Sequence, residues 1–380
     1  MSCPVCDAED SGVFFEQRDA LVFCNRQART RDDALAAPRA DLRLAICDRC
    51  TQIYNTAFDP ERVAYTADYE NSLHFSETFG RHARGLAEML IDRFDLHGKY
   101  IADVGCGDGA FLRLLCELGG NRGTGFDPAA AAATGDVEIV AAPYSAAYAG
   151  PRADFVCCRH VLEHQGQPRD FLVELKPLLR QAWGAYYFEV PNAVKTFCDG
   201  FVWDVLYEHC SYFTPRSLQA LFARIDLDVS ALGTLLGGQF LSLLGRKAAG
   251  APVERLVAQP SDLWRRVRGF ARQRADAVER WRSRLRELRV AGRTVVVWGA
   301  GSKGVTFLDA VAGPADVAAV VDVNPRKQGT WLPGSGLQVL APAALQRIRP
   351  HTVVLMNPIY RDEVHATLDD LGLAPEITTV

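Results

Sequence analysis

A chain of 380 residues is long enough for two or three domains, and 48% hydrophobic with 23% charged residues is an ordinary globular composition. The net charge of −4 gives no electrostatic footprint for nucleic acid. No apolar run reaches the ~18 residues of a membrane span, and the N-terminus lacks the basic and apolar regions of a signal peptide. We therefore expect a cytoplasmic protein without nucleic-acid or membrane partners, whose cysteines are reduced thiols or metal ligands.

Four cysteines form two Cys-x-x-Cys pairs, Cys3 with Cys6 and Cys47 with Cys50. Each pair can place two thiolates on one metal ion, so the two pairs predict a tetrahedral zinc site. Four protein ligands leave no open position, which makes this zinc structural. Unpaired thiols are the alternative, and a redox function is disfavoured because one pair would suffice for it. Residues 1–60 are thus predicted to be a zinc-binding module, with a polar, irregular segment between the pairs that needs the metal as a staple.

Residues 61–98 carry apolar side chains at helical spacing, and Gly98 ends the pattern. The segment Tyr69–Phe75 is unusually rich in polar and aromatic side chains. It is either the start of this helix or a lid over a ligand pocket, in which Tyr69 would contact a substrate.

The most informative stretch is Tyr100–Leu112, in which a short apolar run ends at Asp103 and Gly105, Gly107 and Gly109 follow. This order predicts a strand, a tight turn and a helix, with a backbone that can approach a ligand closely. The spacing is Gly-x-Gly-x-Gly, not the Gly-x-Gly-x-x-Gly of a dinucleotide fingerprint, and it suits a nucleoside with a small charged tail. It resembles the first motif of class I S-adenosylmethionine (SAM) methyltransferases, which implies that Asp103, Gly105 and Gly107 bind SAM.

Asp127 strengthens this prediction, because it ends the next short strand about 20 residues after Gly105, where an acidic residue binds ribose hydroxyls. Strands and helices then alternate as far as residue 190. This alternation predicts a parallel sheet with its ligand site at the carboxyl ends of the strands. There, His160 is predicted to line the SAM pocket, on a short helix shared with His164. Residues 61–250 are therefore predicted to form the methyltransferase core.

The densest cluster of polar and aromatic side chains is the loop Tyr207–Tyr212, which follows the fifth strand of this core. His209 is the candidate general base, with Tyr207 and Glu208 as its catalytic neighbours, because a carboxylate and phenols can tune the pKa of an imidazole. Tyr212 is a candidate for substrate contact. The alternative is a buried polar loop that holds the sheet together.

Residues 251–291 combine many charges with periodic apolar side chains, which predicts a helical linker of one or two helices. Residues 292–380 open with a buried strand and the turn Gly299–Gly304, a Gly-x-Gly-x-x-Gly pattern. Alone this pattern indicates a dinucleotide site, yet the segment has room for only half a Rossmann fold, and the core already has a cofactor. Because a glycine turn at a helix N-terminus binds any phosphate, Gly301 and Lys303 are predicted to bind a nucleotide-diphosphate handle on the substrate.

The whole order resembles the three-domain sugar C-methyltransferases of deoxysugar biosynthesis. The motifs that carry the resemblance are Cys3/Cys6/Cys47/Cys50, Asp103–Gly109, Arg159–His164, Glu208-His209-x-Ser211-Tyr212, Trp298–Gly304 and Val321–Gly329. It implies an α/β fold: a zinc module, a class I SAM methyltransferase core with a doubly wound Rossmann-like sheet, and a C-terminal Rossmann-like domain. It also implies a nucleotide-linked 4-keto-6-deoxysugar substrate, from which His209 removes the proton beside the ketone so that the enolate attacks the methyl group. The Tyr-His pair that precedes Glu208 in that family is replaced here by Leu206-Tyr207.

Two other functions stay open from the sequence. One is O- or N-methylation of another natural-product or surface-glycan intermediate, and the other is a non-catalytic zinc-ribbon scaffold with a vestigial core. The expected partner is a small molecule, with the nucleotide handle left open, and the expected assembly is a monomer or weak homodimer.

Overall fold

The computed structural model of the chain describes residues 2–66, 68–148, 150–182, 185–245, 255–311, 313 and 316–380. The strands are β1 (Ser11–Leu21), β2 (Arg39–Cys47), β3 (Ile53–Asn55), β4 (Tyr100–Val104), β5 (Arg122–Phe126), β6 (Val137–Val140), β7 (Phe155–Arg159), β8 (Tyr186–Pro191), β9 (Ser211–Tyr212), β10 (Val229–Leu235), β11 (Phe240–Gly245), β12 (Arg255–Leu256), β13 (Val295–Trp298), β14 (Ala319–Val321), β15 (Val339–Leu340), β16 (Thr352–Leu355) and β17 (Glu376–Thr379). The α-helices are α1 (Arg31–Leu35), α2 (Glu77–Phe94), α3 (Ala110–Gly119), α4 (Pro168–Gln181), α5 (Ala193–Cys198), α6 (Pro215–Ala223), α7 (Leu263–Val290), α8 (Ser302–Val311), α9 (Leu345–Ile348) and α10 (Arg361–Asp370). Within these ranges the strands form three sheets.

The first sheet is antiparallel and has the strand order β1-β2-β3-β9. β1 and β2 form a long hairpin between the two cysteine pairs, so the prediction of an irregular segment there is wrong. Its apolar side chains find their core outside the segment: the ring of Phe15 lies 5.2 Å from that of Phe270 in α7. Because β9 extends the same sheet, the N-terminal module is joined directly to the Tyr207–Tyr212 loop.

The second sheet has the order β12-β10-β11-β8-β7-β4-β5-β6. From β4 the chain builds outward in parallel through β5 and β6, then crosses to β7 on the other side of β4 and continues to β8. Helices α2 and α3 cover one face, and α4 and α6 cover the other. This is the predicted doubly wound α/β core, closed by the antiparallel strands β11 and β10. A ligand site is expected where the strand order reverses, at the carboxyl ends of β4 and β7.

The third sheet, β15-β14-β13-β16-β17, is parallel throughout and forms the predicted C-terminal Rossmann-like unit. It has more strands than the half fold expected from the sequence. β15 has only two residues and β17 is a poorly buried edge strand, so neither produces a clear apolar pattern. The preceding linker contains one long helix, α7, whose Val267 and Phe270 share a core with side chains of the first and third sheets.

The helix predicted over residues 61–98 is shorter than expected, since α2 begins at Glu77. Before it come a 3₁₀ turn at Pro60–Arg62 and a loop. Tyr65 and Tyr69 do not continue the helix because their rings pack edge-on against each other and against Phe23 of the N-terminal module.

None of the helices in the described ranges is long and apolar enough to cross a membrane. The domain limits 1–60, 61–250, 251–291 and 292–380 stay predictions, and the boundary between residues 250 and 251 falls outside the described residues.

Candidate active site

The glycine turn joins β4 to α3 at the point where the strand order reverses. Gly105 and Gly107 have φ angles of 75° and 56°, a region that residues with a side chain rarely adopt. A Cβ atom on Gly105 would lie 2.1 Å from Cγ2 of Val161. The turn therefore packs against the loop after β7 more closely than any side chain allows.

Two carboxylates flank this turn. Asp127 is fixed at the tip of β5, where it accepts hydrogen bonds from the N–H groups of Gly107 (2.9 Å) and Ala129 (2.8 Å). Asp103 is only 3% exposed, and among the described residues no cation forms an ion pair with it. A buried carboxylate without a cation suits a ligand ammonium group, and SAM carries one on its methionyl tail. The residues present thus fit SAM.

β7 ends at Arg159, and His160 follows in a left-handed conformation (φ 56°) before a 3₁₀ turn, so the predicted helix through both histidines is wrong. Arg159 Nη2 and His160 Nε2 each lie 2.9 Å from Glu189 Oε1, and His160 Nδ1 lies 3.3 Å from Glu163 Oε1. Burial by itself would lower the pKa of His160, but the two carboxylates outweigh it and raise that pKa to about 9. His160 is therefore a cation at neutral pH.

A cavity of about 570 Å³ opens above the turn. Its lining includes all five predicted cofactor residues, Asp103, Gly105, Gly107, Asp127 and His160. The wall is completed by side chains from the loop after β6, from the residues before α2, from the β7 loop and from the C-terminal unit, among them Tyr144, Tyr65, Tyr69, Glu70, His74, Arg159, His164 and Arg326.

The affinity for SAM should depend on pH through Asp103. Burial raises the pKa of Asp103 to about 7, an effect that Arg159 opposes and Asp127 reinforces. Because a ligand ammonium needs the ionised carboxylate, the binding constant should rise about tenfold per pH unit below that pKa and level off above it. Calorimetry between about pH 5.5 and 8.5 measures this slope, and Asp103→Asn should remove it along with most of the affinity. A flat profile in the unmodified protein would contradict this role of Asp103.

The predicted catalytic loop Tyr207–Tyr212 lies outside the lining of this cavity. The hydroxyl of Tyr207 accepts a hydrogen bond from the N–H of Asp59 (2.9 Å). The hydroxyl of Tyr212 binds both backbone groups of Leu206, at 2.8 Å and 2.9 Å. Both side chains are buried and brace the loop, so the structure does not bring either one to the cavity.

Glu208 does not line the cavity, but it is hydrogen-bonded to Tyr69, which does. Its buried carboxylate accepts hydrogen bonds from the Tyr69 hydroxyl (2.8 Å) and from the N–H of Cys24 (3.0 Å). Burial, the largest influence, raises the pKa of Glu208. Tyr69, the predicted substrate residue, is on the cavity wall, and Glu208 holds it there.

His209 lies behind the wall, with its ring edge-on to that of His164 at 4.8 Å. Burial, followed by the charges of His164, His160 and Lys303, holds the pKa of His209 well below its usual range. His209 is thus a neutral imidazole, but His164 is the histidine of this pair that lines the cavity.

Tyr65 and His164 are functional candidates that the sequence did not identify. His164 Nδ1 lies 2.5 Å from the Tyr65 hydroxyl and 3.1 Å from the carbonyl oxygen of Glu208. The two side chains also line a second cavity of about 400 Å³ beside the N-terminal module. His164 could have been identified from sequence, because it follows shortly after β7 and ligand sites lie at the carboxyl ends of parallel strands. The loose apolar pattern around Tyr65 gives no comparable indication for that residue.

The four predicted zinc ligands come together in the N-terminal module. Sγ–Sγ distances are 3.6 Å for Cys3–Cys50 and 3.5 Å for Cys6–Cys47, and all four sulfurs lie within 4.8 Å of one another. Thiolates on a tetrahedral zinc with bonds of about 2.3 Å are about 3.8 Å apart. The cluster therefore fits a structural zinc ion.

The backbone around the two cysteine pairs has the same geometry on both sides. Asp7 and Thr51, each directly after a pair, have φ angles of 59° and 64°. Their N–H groups donate to the carbonyl oxygens of Cys3 and Cys47, both at 3.0 Å. Two matching turns of this kind aim the four thiols at one point.

The C-terminal glycine turn is engaged by the chain's own side chains. The N–H of Ala300 donates to Asp322 Oδ2 (2.7 Å), and Lys303 Nζ pairs with Asp204 Oδ1 (2.8 Å). Gly301 and Lys303 line neither cavity, so the structure does not unite these predicted substrate residues with the rest of the site.

Two domain families match this chain. Residues 77–232 match the methyltransferase domain, and residues 245–373 match the C-methyltransferase C-terminal domain. Together with the doubly wound sheet and its glycine turn, these matches define a SAM-dependent methyltransferase with a C-methyltransferase C-terminal domain. The matches therefore favour a methyltransferase over the alternative of a non-catalytic zinc-ribbon scaffold.

Among curated proteins, the chain is similar to the C-methyltransferase NovU of Streptomyces niveus, with 28% identity over 357 residues that cover 88% of this chain and 84% of NovU. Among solved structures, it is similar to the 1,6-didemethyltoxoflavin-N1-methyltransferase of Burkholderia thailandensis (18% identity, 45% of this chain and 81% of that one, TM-score 0.35). A magnesium protoporphyrin IX methyltransferase from Synechocystis is 13% identical over 45% of this chain and 80% of its own, with a TM-score of 0.33. These two structural similarities carry no part of the assignment.

Proposed function

We propose that this methyltransferase adds a methyl group to a carbon atom beside the carbonyl of a nucleotide-linked keto-deoxysugar. The observation that carries the proposal is His164, hydrogen-bonded to Tyr65 on the wall of the cofactor cavity with the neutral His209 against it. The match to a C-methyltransferase C-terminal domain and the similarity to NovU support carbon as the methylated atom.

SAM supplies an electrophilic methyl group when bound. Carbon is a poor nucleophile until a proton next to a carbonyl is removed, so the site needs a base near neutral pKa. His164 is the side chain with direct access to the acceptor, and His209 behind it is the base predicted from the sequence. His164, with the neutral His209 packed against it, would take the proton from carbon, and the enolate carbon would then accept the methyl group that SAM supplies, with S-adenosylhomocysteine as the leaving product.

The second cavity gives this proton a route away from the reacting atoms. Tyr65 and His164 lie on the wall that the two cavities share. A proton taken from the acceptor can pass from the His164–Tyr65 pair to water on the other side, while cofactor and acceptor fill the first cavity. Both side chains would thus serve catalysis, and neither would need to change conformation to do so.

Exchange of the acceptor's α-hydrogen with deuterated water tests the base. With S-adenosylhomocysteine in place of SAM and a nucleoside-diphosphate 4-keto-6-deoxyhexose as acceptor, NMR should show exchange by the unmodified enzyme. His164→Ala should slow it about 100-fold or more, and His209→Ala at least about tenfold, as for loss of a general base. His97→Ala, at an exposed position, is the matched control and should leave the rate unchanged.

The outcomes separate the proposal from its alternative. Methyl transfer from SAM without any α-hydrogen exchange would point to O- or N-methylation. Exchange that survives in both His164→Ala and His209→Ala would remove the histidine pair from the mechanism.

A further inference from the structure

The residues just before α2 form a segment over the cofactor cavity, Tyr69–Phe75, here called the lid. Six of its residues, Tyr69 to His74, line the cavity. The N-terminal module holds one end: the N–H of Glu70 donates to the carbonyl oxygen of Asn25 at 2.9 Å. The lid thus forms part of the cavity wall but owes its position to other parts of the chain.

The C-terminal unit holds the middle of the lid through Asn324. Its Nδ2 donates to Glu70 Oε1 (3.0 Å) and to the carbonyl oxygen of Ser72 (3.2 Å). The orientation of the Asn324 amide is fixed, because its Oδ1 accepts a hydrogen bond from the N–H of Arg326 at 2.9 Å, and a flipped amide would lose this bond. Asn324 is only 2% exposed, so these bonds are shielded from competing water.

Arg326 joins the lid to the glycine turn. Its Nη1 lies 2.9 Å from Asp108 Oδ2 and 3.4 Å from Glu70 Oε2, and its guanidinium sits 5.3 Å from the ring of Phe75. Arg326 also lines the cavity and remains 49% exposed. It is therefore at the mouth of the cavity, where it can break and re-form the contact with Asp108 without unfolding anything.

Asn324 and Arg326 belong to the turn after β14, which begins at Asp322. In a nucleotide-binding Rossmann fold this is where an acidic residue meets a ribose. Here Asp322 is used internally, with its carboxylate accepting the N–H groups of Ala300 (2.7 Å) and Asn324 (2.9 Å). The turn that resembles a nucleotide site instead faces the neighbouring cofactor cavity.

We propose that Asn324 and Arg326 are positioning residues for the cofactor: the C-terminal unit clamps the lid over bound SAM, and exchange of SAM for S-adenosylhomocysteine requires Arg326 to release Asp108. This clamp requires only bound cofactor and acts independently of the acceptor. Through it, the C-terminal unit takes a direct part in cofactor retention.

The dissociation rate of S-adenosylhomocysteine from the full chain tests this clamp, measured by stopped-flow displacement with excess SAM. Arg326→Ala should speed release about tenfold or more with an unchanged melting temperature, since the side chain is half exposed. Arg326→Lys should recover part of the retention. Arg289→Ala is the matched control, because Arg289, near the end of α7, is 50% exposed and pairs with Asp316 of the C-terminal unit, away from the lid.

Salt provides a second readout that needs no variant. Raising the salt concentration from about 0.05 to about 0.5 M should speed release from the unmodified protein, because screening weakens a half-exposed ion pair, and should have little effect on Arg326→Ala. Release at the unmodified rate in Arg326→Ala would overturn the proposal, as would equal acceleration in Arg289→Ala. If Arg326→Ala fails to fold, Arg326→Lys and the salt series still decide the question.

Discussion

Gly105→Ala should severely weaken the binding of SAM. The new Cβ would lie 2.1 Å from Val161 Cγ2, and the turn requires a φ of 75° at this position, which alanine disfavours. Left-handed backbone costs a residue with a side chain about 1–2 kcal/mol, and overpacking adds about 1–3 kcal/mol. The turn relieves this strain by moving away from the β7 loop, which displaces the cavity wall around His160. We expect the dissociation constant for SAM to rise at least about 100-fold, or about 2.7 kcal/mol.

Gly120→Ala separates strain from the clash. Gly120 has a φ of 61°, and a Cβ there would meet nothing within 4 Å. Both variants should lose some thermal stability, but only Gly105→Ala should lose the calorimetric signal for SAM. Normal SAM affinity in Gly105→Ala would show that the cofactor does not depend on this turn.

Cys47→Ser should abolish binding of the zinc ion that the four-cysteine cluster fits, and should destabilise the protein beyond its N-terminal module. A structural zinc contributes its binding free energy to folding, so loss of one ligand should cost about 3 kcal/mol or more. The destabilisation should extend to the methyltransferase core, because β3 of the module pairs with β9. In addition, the hydroxyl of Thr51, four residues after Cys47, lies 2.7 Å from that of Thr214 at the start of α6. Methyl transfer should fall as well, although no zinc ligand lines the cofactor cavity.

Cys116→Ser is the appropriate control, since Cys116 is also buried but lies in α3, away from the cluster. Metal analysis should find about one equivalent of zinc in this control and in the unmodified protein, and almost none in Cys47→Ser. A metal-free protein that is folded and melts normally would refute the zinc site.

The candidate cofactor residues could be placed together from sequence because they are close along the chain. Asp103, Gly105 and Gly107 form one strand and turn, and Asp127 ends the next strand, so a single βαβ pattern fixes all four near one another. Such motifs need no knowledge of distant contacts.

The candidate residues on the acceptor side of the site could not be placed from sequence, because their geometry depends on packing between distant segments. Glu208 looked catalytic in its polar loop, but its carboxylate turns inward to Tyr69 and Cys24. Tyr65 becomes a functional candidate only because the chain brings its hydroxyl within 2.5 Å of His164 Nδ1.

The N-terminal hairpin was missed for a related reason. The sequence of β1 and β2 shows no clear strand pattern when it is read alone. Part of the apolar surface of these strands is covered by α7, which lies more than 200 residues later in the chain. Likewise, the C-terminal glycine turn carries the full pattern of a phosphate site, but its partners Asp322 and Asp204 come from elsewhere in the chain. Sequence patterns identified the elements of the methyltransferase core and the C-terminal glycine turn, whereas contacts between distant segments decide which of their side chains line a cavity.

The most direct test of carbon methylation is transfer of a ¹³C-labelled methyl group from SAM to a nucleoside-diphosphate 4-keto-6-deoxyhexose, read by NMR. Carbon methylation predicts a new methyl signal coupled to a ring carbon next to the carbonyl, absent in Gly105→Ala and strongly reduced in His164→Ala. A methyl signal on oxygen or nitrogen, or none with any keto sugar while SAM still binds, would contradict it.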